Sequence, residues 1–211
     1  MLERPVGLRT TPLSYSVIER FAIRARNALL PRDGISSAVP GIDVFESLNE
    51  LEICAGAQTL RVNYAVNDLP TGIEGMSTFD TEREEILVTL DLRTYMGLVE
   101  GIPRALFCLC HELGHVCVHT VKLVELSNIP HEVMAMNKGG LPPHRAYEDT
   151  EWQANAFASA FAMPAIGLAE LERARGVLTA QTVANQFNVS FDAARIRLDC
   201  FQTRRGELLR S

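Results

Sequence analysis

The chain has no apolar run approaching the roughly 20 residues that cross a membrane as a helix, no internal repeat and no low-complexity tract. A membrane span, a solenoid and an extended linker are therefore not expected. Positive charge is the minority sign, with 20 Lys and Arg against 26 Asp and Glu, and the formal net charge is −6 with histidine neutral. That balance argues against broad, nonspecific binding to nucleic acid. The opening Met1-Leu2-Glu3-Arg4-Pro5 lacks the charged-then-apolar pattern of a secretory signal. Paired cysteines are missing too. The five are Cys54, Cys108, Cys110, Cys117 and Cys200, an odd number, with three crowded into one short stretch. Reduced thiols in a cytoplasmic protein fit that pattern. With 211 residues, 47% hydrophobic and 22% charged, the chain reads as one generous globular domain, or one domain with a small appendage.

The chemistry is concentrated at His111-Glu112-Leu113-Gly114-His115, an HExxH motif inside the apolar segment 105–121, which reads as a buried helix. Histidines four residues apart share a helix face one turn apart. Both imidazoles can then reach one metal ion, with Glu112 beside it as proton carrier. A zinc hydrolase is the simplest reading. Cys108, Cys110 and Cys117 read as small apolar fillers on the same helix. Cys108, three residues before His111, has a second reading as a stray ligand or oxidation-sensitive thiol. His119 continues the line of histidines but lies about 12 Å along the axis from His111. It is expected to be structural or to support a ligand from behind.

Coarse periodicity organises the rest. A first helix is capped by Ser14 or Ser16 and runs to Leu30-Pro31. A short helix is expected over Ile42 to Leu51. Leu60 to Val66 alternates as a strand, Asn67 to Gly75 is a turn region, and Gly75 to Asp80 and Glu85 to Leu90 are further strands. Ile102-Pro103 opens the motif helix. Ser127 to Thr150 carries Pro130, Gly139-Gly140 and Pro142-Pro143 and reads as a long irregular connection. Helices are expected over Ala146 to Met163, Ala165 to Arg175, Thr179 to Phe187 and Phe191 to about Arg205.

Two ligands are not enough for a catalytic zinc, which takes a third protein ligand and leaves a position for water. Glu151 is the best candidate. Asn155, one turn later, can hold a ligand histidine through its free ring nitrogen. The small Ala154, Ala156 and Ala158 allow two helices to approach closely. An isolated glutamate at this place would otherwise be a solvated helix-start residue.

Taken together, His111-Glu112-Leu113-Gly114-His115 with His119, then Glu151-xx-Ala154-Asn155-x-Phe157-Ala158 and Met163-Pro164, resemble the ImmA/IrrE family of metallo-endopeptidases. The upstream run Leu69-Pro70-x-Gly72-xx-Gly75, the strand Ile86-Leu87-Val88 and the tail from Val183 to Leu198 are similar as well, so the resemblance covers roughly 60–198. Gln153 stands where many members carry a second acid, a departure that touches no predicted ligand. The resemblance implies an α+β, zincin-like fold: a small twisted sheet packed on the HExxH helix, with a mostly helical carboxy-terminal part. It implies His111, His115 and Glu151 as ligands of one Zn2+ per chain and Glu112 as general base. Two imidazoles and a carboxylate would also accept Mn2+ or Co2+. It further implies a protein substrate, commonly a helix-turn-helix transcriptional repressor whose loss switches on stress or mobile-element genes. The corresponding division is 1–59 as a helical segment packed on the core, 60–164 as the metalloprotease core and 165–211 as helices resembling a helix-turn-helix.

Three further expectations concern function. One of His131, His144, Arg145 and Tyr147 is the candidate donor to the oxyanion. The strand Gly75 to Asp80 is the candidate sheet edge along which an extended peptide would lie. The tail, with the turn Asn188-Val189-Ser190 and Arg195 and Arg197 on its second helix, has the outline of a DNA reader. Direct DNA binding is not expected on the acidic balance of the chain. Beside the endopeptidase stand two competing readings: a zinc-containing regulator or sensor that binds a partner without cutting, and a DNA-binding factor.

Overall fold

Alternation at Leu60, Val62, Tyr64 and Val66 puts Leu60 and Val62 fully into the core from one face of a strand. The structure, a computed structural model, describes residues 7–31, 34–127 and 145–210. The strands are β1 (Glu52–Ala55), β2 (Gln58–Asn67), β3 (Gly75–Asp80) and β4 (Glu85–Asp91). Among the described residues they form one sheet in the order β1-β2-β4-β3. β2 and β4 run parallel, and the other two pairs are antiparallel. β4 is flanked on both sides and buries Ile86, Val88 and Leu90 completely, as an inner strand should. β3 pairs with β4 from Gly75↔Leu90 to Asp80↔Glu85 and lies at the sheet's edge, as its sequence position suggested.

The helices are α1 (Tyr15–Leu29), α2 (Gly41–Glu46), α3 (Leu92–Val99), α4 (Pro103–Ser127), α5 (Thr150–Ala162), α6 (Ala165–Arg175), α7 (Ala180–Phe187) and α8 (Phe191–Leu208). Ser14, not Ser16, caps α1 by accepting from the Val17 amide at 3.3 Å. The expected helix over 42–51 is shorter: α2 gives way to a 3-10 turn at Ser47–Glu50 and then to β1. β1 turns into β2 through Gly56, whose φ of 64° suits glycine. Neither β1 nor α3 was expected. The helix expected from Ala146 starts later, at Thr150, because the Asp149 carboxylate caps it by accepting from the Trp152 amide at 3.0 Å. The turn before it, Ala146–Glu148, is 3-10.

The sheet packs on α4, and α5 crosses α4 on the other side, with α1 closing over both. This layer holds Phe45, Leu109, Leu113, Phe157 and Phe161, all fully buried. A second apolar cluster, with Leu168, Val183, Phe187 and Phe201, ties α6, α7 and α8 together. Each such side chain contributes about 1.5–3 kcal/mol by leaving water. The span Thr150–Arg175 is apolar and long enough by composition to cross a membrane, contrary to expectation. It breaks at Met163-Pro164 into α5 and α6, and 72% of its apolar window is buried inside the protein. Those side chains serve the core.

One buried ion pair joins the two clusters. Arg197 on α8 donates from Nη2 to both oxygens of Glu19 on α1, at 2.9 and 2.7 Å, and from Nε to the Met163 carbonyl at 2.8 Å. Glu19 also accepts from the Ala165 amide at 2.7 Å. Both Glu19 oxygens and the Arg197 Nε and Nη2 are thereby hydrogen-bonded, the condition under which buried charges are tolerated.

Candidate metal centre

α4 carries His111, Glu112 and His115, and its glycine sets how close α5 can come. A Cβ on Gly114 would lie 2.9 Å from Ala154 Cα and 3.0 Å from the Ala154 carbonyl oxygen. Only at this separation does Glu151, on the first turn of α5, face the two imidazoles. His111 Nε2 and His115 Nε2 lie 3.0 Å apart. Glu151 Oε2 is 3.2 Å from His111 Nε2, and Glu151 Oε1 is 3.5 Å from His115 Nε2. Among the described residues these three side chains form the one group of ligand-type atoms lying within 4.8 Å of one another.

The donor set fits a zinc ion. Ligand atoms on a tetrahedron with bonds of about 2.0–2.1 Å stand about 3.3 Å apart. The three separations, 3.0, 3.2 and 3.5 Å, bracket that value. Two imidazole nitrogens and one carboxylate also match the ligand chemistry of catalytic zinc and leave a fourth direction open. The same groups attract protons. Burial opposes a charge on His111, but the Glu151 hydrogen bond and the Glu112 and Glu151 charges outweigh it and raise its pKa. Hydrogen bonds from His111 and His115 hold the Glu151 carboxyl well below its usual range.

The surroundings of the three are built from distant segments. Asn155 Oδ1 lies 3.0 Å from His111 Nδ1. α4 leaves helical geometry at His119, with φ −118° and ψ 16°, and the ring's Nδ1 lies 3.2 Å from His115 Nδ1. His119 does not join the ligand group. Burial pushes its pKa down to about 4, so the ring is neutral. Its Nε2 lies 2.9 Å from Gln153 Oε1. The segment ahead of α1 is paired to the turn before α5: Leu8 donates to Thr150 Oγ1 at 3.0 Å and Gly7 to Asp149 Oδ2 at 3.0 Å. A Cβ on Gly7 would come within 2.8 Å of Glu151 Cγ. Glycine there is a matter of space beside Glu151.

Glu112 is 7% exposed. Ser77, on the edge strand β3, donates to Glu112 Oε2 at 2.8 Å and lies 3.2 Å from the Glu112 carbonyl. Close packing of β3 on α4 makes this possible, since a Cβ on Gly75 would meet Glu112 Cγ and Cys108 Sγ, each at 3.1 Å. A cleft of about 860 Å³ opens over the site, lined by Gly75, Met76 and Ser77 of β3 together with His111, Glu112, His115 and Glu151.

Sequence reasoning missed Ser77, Gly7 and Gln153. A serine in a strand is common, and nothing local marks its partner; Gly7 and Gln153 act through contacts far along the chain. Other candidates fall away from the centre. Cys108 lines the cleft but stands outside the ligand group, and burial followed by the Glu112 charge pushes its thiol up to about 12. All five cysteines are free. His131 and His144 lie outside the described residues. Arg145 donates to the Tyr147 hydroxyl, and neither residue lines the cleft. Arg197 is buried against Glu19 and is not available to a nucleic acid, while Arg195 is exposed and stands 3.7 Å from Asp192.

Sheet, HExxH helix and a carboxylate from the next long helix define a metallopeptidase. Residues 102–199 match the peptidase family described as the IrrE N-terminal-like domain. Residues 102–199 are thus similar to a metallopeptidase domain of the ImmA/IrrE family, in agreement with the resemblance read from the motifs. Comparison with curated proteins gives no match.

Proposed function

We propose that this protein is a zinc-dependent endopeptidase of the cytoplasm that cuts a regulatory protein, with a helix-turn-helix repressor as the substrate class and a stress response as the setting. The observation that carries the reading is the convergence of His111, His115 and Glu151, with Glu112 held beside them by Ser77. His111 and His115 through Nε2, and Glu151 through its carboxylate, would hold the ion. When bound, zinc supplies a Lewis acid that brings the pKa of water toward ~7 and polarises a carbonyl. Glu112 takes the proton of the attacking water and delivers it to the leaving amine nitrogen, a role typically worth about 10²–10⁴ in rate. Ser77 keeps that carboxylate aimed across the cleft. Among the described residues β3 is the outer strand on this side of the sheet, and its Gly75, Met76 and Ser77 line the same cleft, where backbone groups can meet an extended peptide.

The test is co-expression with a helix-turn-helix repressor, with and without chelator, using wild type and Glu112→Gln. Cleavage by wild type alone, abolished by chelator, supports the proposal. A Glu112→Gln variant that keeps its zinc and still cleaves at the wild-type rate contradicts the mechanism. Zinc binding without cleavage of any repressor tried points to the regulator reading instead.

A further inference from the structure

The geometry points to Gln153 as a positioning residue that decides, through His119, which ring nitrogen of His115 carries its proton. The inference rests on the proposal that His115 Nε2 is a metal ligand.

Gln153 is fully buried on α5, and its amide orientation is set by two neighbours that only accept. Its Nε2 donates to the Thr11 carbonyl at 2.9 Å and to the Tyr147 carbonyl at 2.8 Å. The other end, Oε1, therefore faces His119 Nε2 at 2.9 Å. An amide oxygen only accepts, so the hydrogen sits on His119 Nε2. His119 is 3% exposed and touches an amide and an imidazole, so it is a neutral ring with a single ring hydrogen. Its Nδ1 then presents a lone pair. His115 Nδ1, 3.2 Å away, must supply the hydrogen for that contact. His115 Nδ1 is thereby committed as a donor, and Nε2 is the nitrogen left for a cation: a proton shared with Glu151 Oε1 in the metal-free protein, the metal in its place when zinc is bound.

Three contacts in series thus convert the orientation of one amide into the tautomer a metal ligand needs. A ligand histidine ordinarily donates its second ring hydrogen to a carboxylate, carbonyl or water. Here the acceptor is another imidazole, whose own polarity is set one step further back. α4 leaves helical geometry at His119, whose ring touches both partners. The series starts at two backbone carbonyls, one in the segment ahead of α1 and one in the turn ahead of α5. Docking of the amino-terminal segment is in this way coupled to the readiness of His115.

Nitrogen-15 NMR of the histidine side chains reads the tautomers directly in chelator-treated wild type at mildly alkaline pH. The expected result is hydrogen on Nδ1 of His115 and on Nε2 of His119; the opposite assignment of either ring overturns the inference. Gln153→Met, similar in size but without an acceptor, is expected to weaken zinc binding by about 10–100-fold in competition with a chromogenic chelator. A folded Gln153→Met variant with wild-type zinc affinity overturns the inference, and if that variant does not fold, the wild-type spectrum decides. Wild-type protein that takes up no zinc would instead defeat the metal proposal, and the tautomer assignment would still be readable.

Discussion

Ser77 Oγ and Glu112 Oε2 stand 2.8 Å apart, a hydrogen bond from the edge strand to a carboxylate that lines the cleft but is not part of the ligand cluster. The bond fixes where the Glu112 oxygens point without removing their charge. Ser77→Ala should lower kcat by roughly tenfold, the effect of losing about 1.4 kcal/mol of charged hydrogen bonding in the transition state. Zinc content and melting temperature should be unchanged. An unaltered kcat would show that Glu112 needs no such support.

At Gly114 α4 lies directly against the Ala154 backbone of α5. Because the first obstacle to a Cβ there is Ala154 backbone and not a flexible side-chain end, Gly114→Ala must push the helices apart. Overpacking of this sort costs typically about 1–3 kcal/mol. The same shift carries Glu151 away from His111 and His115, so denaturant unfolding and zinc competition should both report a loss. Loss of stability with zinc affinity intact would mean that Glu151 is not anchored by this contact.

The buried His119 gives the metal-free protein an acid-sensitive point. Its pKa falls from an ordinary 6.5 to about 4 on folding. The unfolded chain therefore binds the proton first, and stability drops as the pH falls through that window, by on the order of 3 kcal/mol when complete. His111 has the opposite sign: raised on folding, it adds stability below 6.5 that is lost as the pH rises through its folded value. Comparing wild type with His119→Phe in urea, both chelator-treated, cancels the His111 contribution. The wild type should lose more stability than the variant on acidification; parallel curves would show that His119 is not held neutral.

Glu19 and Arg197 bind the helical tail to the rest of the molecule. Removing one partner leaves the other charged, buried and unpaired, which costs about 3–5 kcal/mol. Glu19→Ala should therefore lower the melting temperature sharply, with proteolysis beginning in α6 to α8. A mild effect would mean that water reaches Arg197.

Much of this arrangement was readable in the sequence because its signals are local. HExxH places two ligands on one helix face by spacing alone, and β3 and β4 show in short alternating or apolar runs. α3 escaped because Leu92, Met96 and Val99 recur at helical spacing but stand exposed, so its apolar stripe marks no buried face. β1 is four residues long and only half-buried, too short for alternation to register. The supports of the site were hidden for a different reason. Ser77 and Glu112 are 35 positions apart, and Gln153 reaches across 142 to Thr11. No periodicity encodes such pairs; only the packing of α4 against β3 and α5 creates them. Glu151 lay in between, found through its spacing from Asn155 and through the family resemblance.

The central claim, that His111, His115 and Glu151 share one zinc ion, is tested most directly by zinc-edge X-ray absorption on protein carrying one equivalent of the metal. The account predicts nitrogen and oxygen neighbours alone at about 2.0–2.1 Å, with imidazole scattering that weakens in His115→Ala. A sulfur neighbour at about 2.3 Å, which would bring in Cys108, or a shell that His115→Ala leaves untouched, would contradict it.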